Sequence, residues 1–169
     1  MAQSPVVIVT GGGAGIGAAI VDKLLEENAR LVVIDLVEGP LKERQTAVGR
    51  DRFQYVVGDV SKDEVNSKAV DAAIKTWGRI DGVGLNAGIM SPIQRICDMA
   101  PADVTKIFNI NVVAHISMVS LAQEMHARSV TNIRQLSSAI PHLRKTKGRV
   151  IFTSSDAGEQ LRWKAWGAY

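Results

Sequence analysis

One run of residues could do chemistry before any fold is assumed: Thr10-Gly11-Gly12-Gly13-Ala14-Gly15-Ile16-Gly17. Glycines allow a sharp turn and remove side chains where backbone must approach a ligand. The N–H groups at a helix start then face outward with the positive end of the helix dipole, an arrangement that holds a diphosphate. A carboxylate, Asp35, closes the next apolar run. There it can accept hydrogen bonds from a ribose 2′-hydroxyl, and its charge would repel a 2′-phosphate. No Arg or Lys lies within the turn to attract that phosphate. NAD is therefore favoured as the cofactor, and NADP stays possible. The glycines alone would suit a plain structural turn, and Asp35 alone a loop cap. Their combination points to a dinucleotide.

These residues need a strand before the turn and a helix after it, and the sequence supplies both. Val6–Thr10 is rich in β-branched residues and reads as a buried strand. Ile16–Asn28 has helical spacing, with Ile16, Ile20, Leu24 and Leu25 on one face. Leu31–Asp35 and Phe53–Val57 read as strands, and Glu38–Val48 as a short helix or loop. Ser61 with Glu64 forms a capping box that opens a helix carrying Val65, Ala69, Ala72 and Ala73 inward and stopping near Gly78. Ile80–Asn86 is a fourth strand, and Pro101 suits the first turn of a long helix through Met118. Arg149–Ser154 is a fifth strand. This alternation predicts the α/β class: a doubly wound parallel sheet, the Rossmann fold, in a single domain over 1–169.

Composition limits the alternatives. Hydrophobic residues make up 46% and charged residues 22%, which excludes disordered and collagen-like chains. No apolar run approaches the roughly 18 residues of a membrane span, and the N-terminus has no basic segment of the secretory type. A single cysteine, Cys97, fits a reducing compartment, so a cytoplasmic location is expected and Cys97 reads as a small apolar residue. The net charge of +3 owes much to Arg144, Lys145, Lys147 and Arg149, read as a solvated helix end rather than a nucleic-acid patch. His115, His126 and His142 lack ligand spacing, and no metal is expected.

With these motifs in place, the chain resembles the short-chain dehydrogenases/reductases over nearly its whole length. Thr10, Gly11, Gly15 and Gly17 match the family's glycine motif, to which Gly12 and Ile16 belong as cofactor-side residues. Asp59-Val60 stands where the family places an Asp beside the adenine. Asn86-Ala87-Gly88 matches its Asn-Ala-Gly, although Leu85 replaces the Asn that commonly precedes it. Asn111, Ser155 and Tyr169 match the catalytic Asn, Ser and Tyr. The resemblance implies interconversion of a carbonyl and an alcohol. Tyr169 would donate the proton, or accept it in reverse. Ser155 would orient the substrate oxygen, and Asn111 would hold the water that relays the family's Lys. Read without the family, Ser154-Ser155 could be a strand-end turn, Asn111 an ordinary helix polar residue and Tyr169 a surface tyrosine. Trp163 and Trp166 could touch substrate or simply pack.

Two departures qualify the match. The family's Lys would fall at 173, after the final residue, so the chain is expected to be a fragment lacking the C-terminal strands, with strand five as an exposed apolar edge. The stretch between Asn111 and Pro141 is also too long, by about the length of residues 119–135. Removing 119–135 restores a continuous family-like helix, and the stretch can be back-translated with donor, branch and acceptor signals. It therefore reads as translated intron, with a genuine surface insertion as the alternative. The leading functional expectation is an NAD(P)-dependent oxidoreductase acting on a small carbonyl or alcohol, with no nucleic-acid or membrane partner. The resemblance implies a full-length form of a kind that is often a homo-oligomer, and the sequence leaves the oligomeric state open. The competing readings are a nucleotide-binding fragment without turnover and a structural protein that keeps only the fold.

Overall fold

The computed structural model describes residues 4–90, 95–119 and 139–154. Five strands, β1 (Val6–Thr10), β2 (Arg30–Asp35), β3 (Phe53–Val57), β4 (Gly82–Leu85) and β5 (Arg149–Phe152), form one sheet in the order β3-β2-β1-β4-β5. Every pairing is parallel, with Thr10 beside Ile34 on one flank and beside Leu85 on the other. Parallel strands need crossovers, and the helices α1 (Gly15–Glu26), α2 (Glu38–Val48) and α3 (Asp63–Trp77) supply them. Glu38–Val48, which the sequence leaves open between helix and loop, is a helix, with Pro40 tolerated in its first turn.

Two cores lie on opposite faces of the sheet. Val9, Leu31, Val33 and Phe53 point to one face, against Val21 of α1 and Leu41 of α2. Ile8, Val32, Ile34, Val83 and Leu85 point to the other, against Val65, Ala69 and Ala73 of α3 and against Ala114, Met118 and Leu143. Alternate residues of β1 and β2 thus feed different cores, so these strands read as continuous apolar runs. This is the doubly wound arrangement.

The remaining helical elements are a 3-10 turn (Ile96–Asp98), α4 (Pro101–Phe108), a wider π-type turn over Asn109–Val113, α5 (Ala114–Val119) and α6 (Ile140–Thr146), with α5 and α6 sending Ala114, Met118 and Leu143 into the core that holds Val83 and Leu85 of β4. The long helix expected from Pro101 through Met118 is therefore one rod interrupted at Asn109–Val113. Strand β4 is also shorter than Ile80–Asn86, because Asp81 turns inward to accept the Val6 N–H while Asn86 leaves the ladder for Thr10. Of 119–135, only Val119 falls within the described residues. Strand β5 lies at the described sheet edge, with Ile151 and Phe152 exposed.

Two local expectations fail. The Ser61/Glu64 box does not cap α3, which begins at Asp63 with Lys62 at the cap and no side-chain cap bond. Asp59 takes the Ser61 N–H instead, at 2.8 Å, and its tight turn delays the helix. Ile16 does not face inward, being 67% exposed. The first turn of α1 rises past the end of β1, where there is no sheet left to cover it; Val21 takes the central buried position. Arg144 and Lys145 close α6 as a solvated helix end, as read from the sequence.

Candidate functional site

Thr10 is the buried anchor at the carboxyl end of β1. Its Oγ1 accepts the N–H groups of Asn86 at 3.0 Å and Ala87 at 3.1 Å, tying the turn after β4 to the turn after β1. Asn86 returns the contact, donating Nδ2 to the Gly11 carbonyl at 3.1 Å. Gly17 shows why this corner rejects side chains: a Cβ there would run into the Gly11 carbonyl oxygen and stand 2.6 Å from Asn86 Nδ2. Gly12 is buried between Val33 and Val21. The glycine turn is thus a packing device in its own right.

Asp35 closes the other side. Its carboxylate accepts the Gly13 N–H at 2.8 Å and the Val37 N–H at 3.1 Å. A Cβ on Gly13 would lie 2.8 Å from the carboxyl carbon, so only glycine lets the turn sit this close. Gly15, Ile16 and Gly17 form the first turn of α1, where backbone N–H groups have no acceptor four residues earlier in the helix; the Ala18 N–H to Ala14 carbonyl bond is the first of that kind.

Between these walls lies a cavity of about 140 Å³ at the carboxyl edge of the sheet. It brings together Gly11, Asp35, Asp59, Val60, Ala87 and Gly88, along with Leu36, Gly58, Ile89 and Ile110. Asp59 is held below the ordinary carboxyl range, chiefly by the hydrogen bond from the Ser61 N–H. Behind Val60 the buried Asn66 donates Nδ2 to the Val60 carbonyl at 3.0 Å. Asn111 lies on the π-type turn and grips Ile89 twice, accepting its N–H at 2.8 Å and donating to its carbonyl at 2.9 Å. His115, one turn on, contacts the Ala87 carbonyl at 2.8 Å through Nε2. Burial holds His115 below the ordinary imidazole range.

Ser155, Tyr169, Trp163 and Trp166 lie outside the described residues. The sequence gives no site role to Leu36, Gly58, Ile89, Ile110, Asn66 and His115. Gly13 was visible as the third glycine of the run. His115 was signalled by standing four residues after Asn111 on one helix. The others are apolar or helix-internal, and only the fold brings them to this edge. Cys97 is exposed. No described helix is long and apolar enough to cross a membrane.

A dinucleotide fits this arrangement. An open helix N-terminus stands beside side-chain-free backbone, a carboxylate sits at the end of the neighbouring strand, and the cleft lies where α/β sheets bind ligands, outside the carboxyl ends of the strands.

Comparison with known proteins bears on the same residues. The family model described as short chain dehydrogenase matches residues 5–169. An uncharacterized oxidoreductase of Saccharomyces cerevisiae is 37% identical over 97% of this chain and 58% of its own length. The cis-1,2-dihydrobenzene-1,2-diol dehydrogenase of Pseudomonas putida is 32% identical over 92% of this chain and 52% of its own length. Among solved structures, a short chain dehydrogenase/reductase of Saccharomyces cerevisiae superposes with a TM-score of 0.80 at 36% identity, covering 98% of this chain and 59% of that one. The chain thus spans between half and three-fifths of the length of these relatives.

Proposed function

The chain belongs to the short-chain dehydrogenase family, and from that premise we propose that it serves an oxidoreductase interconverting a carbonyl and an alcohol with NAD as the preferred coenzyme. The observation that carries the reading is the cleft where Gly11, Asp35, Asp59, Val60, Ala87 and Gly88 meet at the carboxyl edge of the sheet. Relatives named as dehydrogenases of cis-dihydrodiols and of sorbitol 6-phosphate support an alcohol or carbonyl as substrate. They also favour an enzyme over a nucleotide-binding fragment without turnover.

In this reading the first turn of α1, at Gly15, Ile16 and Gly17, holds the diphosphate. Asp35 takes the adenosine ribose, and its charge disfavours a 2′-phosphate. Asp59 and Val60 border the base. Thr10 and Asn86 keep the two turns in register, and Ala87 and Gly88 form the floor. The bound coenzyme supplies or accepts the hydride. Tyr169 moves the proton to or from the substrate oxygen, and Ser155 orients that oxygen. A free tyrosine titrates near pH ~10, so Tyr169 needs adjacent positive charge to act at neutral pH. Asn111 keeps the floor at Ile89 in place. A cytoplasmic location fits the single thiol.

The test is to follow consumption of reduced coenzyme with a panel of ketones and diketones. Turnover that is lost in Tyr169→Phe, with coenzyme affinity retained, supports the assignment. Coenzyme binding without turnover of any carbonyl favours the binding module, and no binding removes the proposal.

A further inference from the structure

His115 has no place in the chemistry above, yet it is buried against the floor of the cleft at 7% exposure. Its Nε2 stands 2.8 Å from the Ala87 carbonyl. A carbonyl only accepts, so Nε2 must carry the proton and donate. The ring also meets Phe152 edge-on, with centroids 6.2 Å apart and planes at 62°. Phe152 ends β5, and the following Thr153 N–H bonds the Leu85 carbonyl at 2.9 Å.

The same segment is held from two sides. Thr10 accepts the Ala87 N–H from β1, and His115 donates to the Ala87 carbonyl from α5. Asn111 then takes both backbone groups of Ile89. The two peptide groups flanking Gly88 are therefore pinned by side chains, and Gly88 itself has none with which to hold a conformation. Removing the His115 donor would leave the Ala87 carbonyl without its bond and free the turn to rotate.

We infer that His115 is a positioning residue of the coenzyme cleft: its Nε2–H fixes the Ala87 carbonyl, and so the backbone of the Asn86-Ala87-Gly88 floor, while the ring's contact with Phe152 is secondary. This rests on the coenzyme reading given above. Two variants separate the donor from the ring. His115→Phe keeps a ring against Phe152 and loses the donor, whereas His115→Gln keeps an N–H donor and loses the ring.

NADH is titrated by fluorescence into the parent chain and both variants, with thermal unfolding measured on each. The expected result is NADH affinity weakened about three- to tenfold in His115→Phe, the scale of one neutral hydrogen bond, and held within about twofold of the parent in His115→Gln. Equal losses in the two variants, or parent-like binding in His115→Phe, would overturn the inference while leaving the coenzyme reading intact. No NADH binding by the parent would overturn both. Should His115→Phe not fold, the ¹⁵N shift of His115 Nε2 in the parent replaces it. A shift that moves on NADH addition supports the inference, and one that does not move refutes it.

Discussion

Thr10→Val removes one oxygen and almost no volume. Thr10 is 1% exposed, and its Oγ1 accepts two backbone N–H groups, from Asn86 at 3.0 Å and Ala87 at 3.1 Å. Valine leaves both donors unpaired at a partly buried site. An unpaired buried donor costs about 1–3 kcal/mol. Because the two peptides are only partly buried, water recovers some of this, and the expected loss is about 2–4 kcal/mol in all. Against a typical domain stability of about 5–15 kcal/mol, that is a large fraction. Urea unfolding with linear extrapolation measures it, with an unchanged slope showing that compactness is retained. Thr10→Ser keeps the oxygen and should recover most of the loss. If Thr10→Val instead unfolds within about 0.5 kcal/mol of the parent, the hydroxyl does not hold the two turns together, and the account of the cleft's corner is wrong.

Gly17→Ala should be more damaging than its size suggests, by about 3 kcal/mol or more, because the new methyl group meets the Gly11 carbonyl oxygen; an alanine variant of parental stability in denaturant titration would show that the turn has slack. Stability should also fall as pH drops below about 6.5. Burial is the largest cause holding His115 and His142 below the ordinary imidazole range, with Lys145 adding to it at His142. The unfolded chain therefore takes up protons first, and acid favours it. Asp59, held low by the Ser61 N–H, adds a further loss only below about pH 4. Unfolding free energies measured from pH 7.5 to pH 5 (roughly the range in which histidine titrates) should decline, and less steeply in His115→Gln. A flat or rising profile would contradict this.

Strand β1 was legible because burial on both faces writes it as an apolar run, and Val6–Thr10 falls where the sequence puts it; Phe53–Val57, interrupted by Gln54 and only partly buried past Phe53, was legible from its β-branched and aromatic residues and also falls in place. The glycine turn and Asp35 were legible because close backbone approach leaves few residue choices. Other features depend on where the sheet stops and which turn forms first, and periodicity carries neither. Ile16 continues the apolar stripe of α1 but overhangs the sheet edge, so it is exposed. Ser61 and Glu64 have capping spacing, but Asp59 captures the Ser61 N–H before the helix starts. The π-type turn at Asn109–Val113 leaves no mark in hydrophobic spacing, and it brings Asn111 to Ile89. His115 has no metal-ligand spacing to mark it, and its partner is a backbone carbonyl that only the fold brings near.

The central claim is that the helix start and Asp35 together hold NAD. The direct measurement is the affinity of the purified chain for NADH and NADPH side by side, repeated on Asp35→Ala. The account predicts saturable binding with NADH the tighter. In Asp35→Ala, NADH should weaken about ten- to a hundredfold and the preference over NADPH should shrink. Binding of neither coenzyme by folded protein, or an unchanged preference in Asp35→Ala, would contradict it.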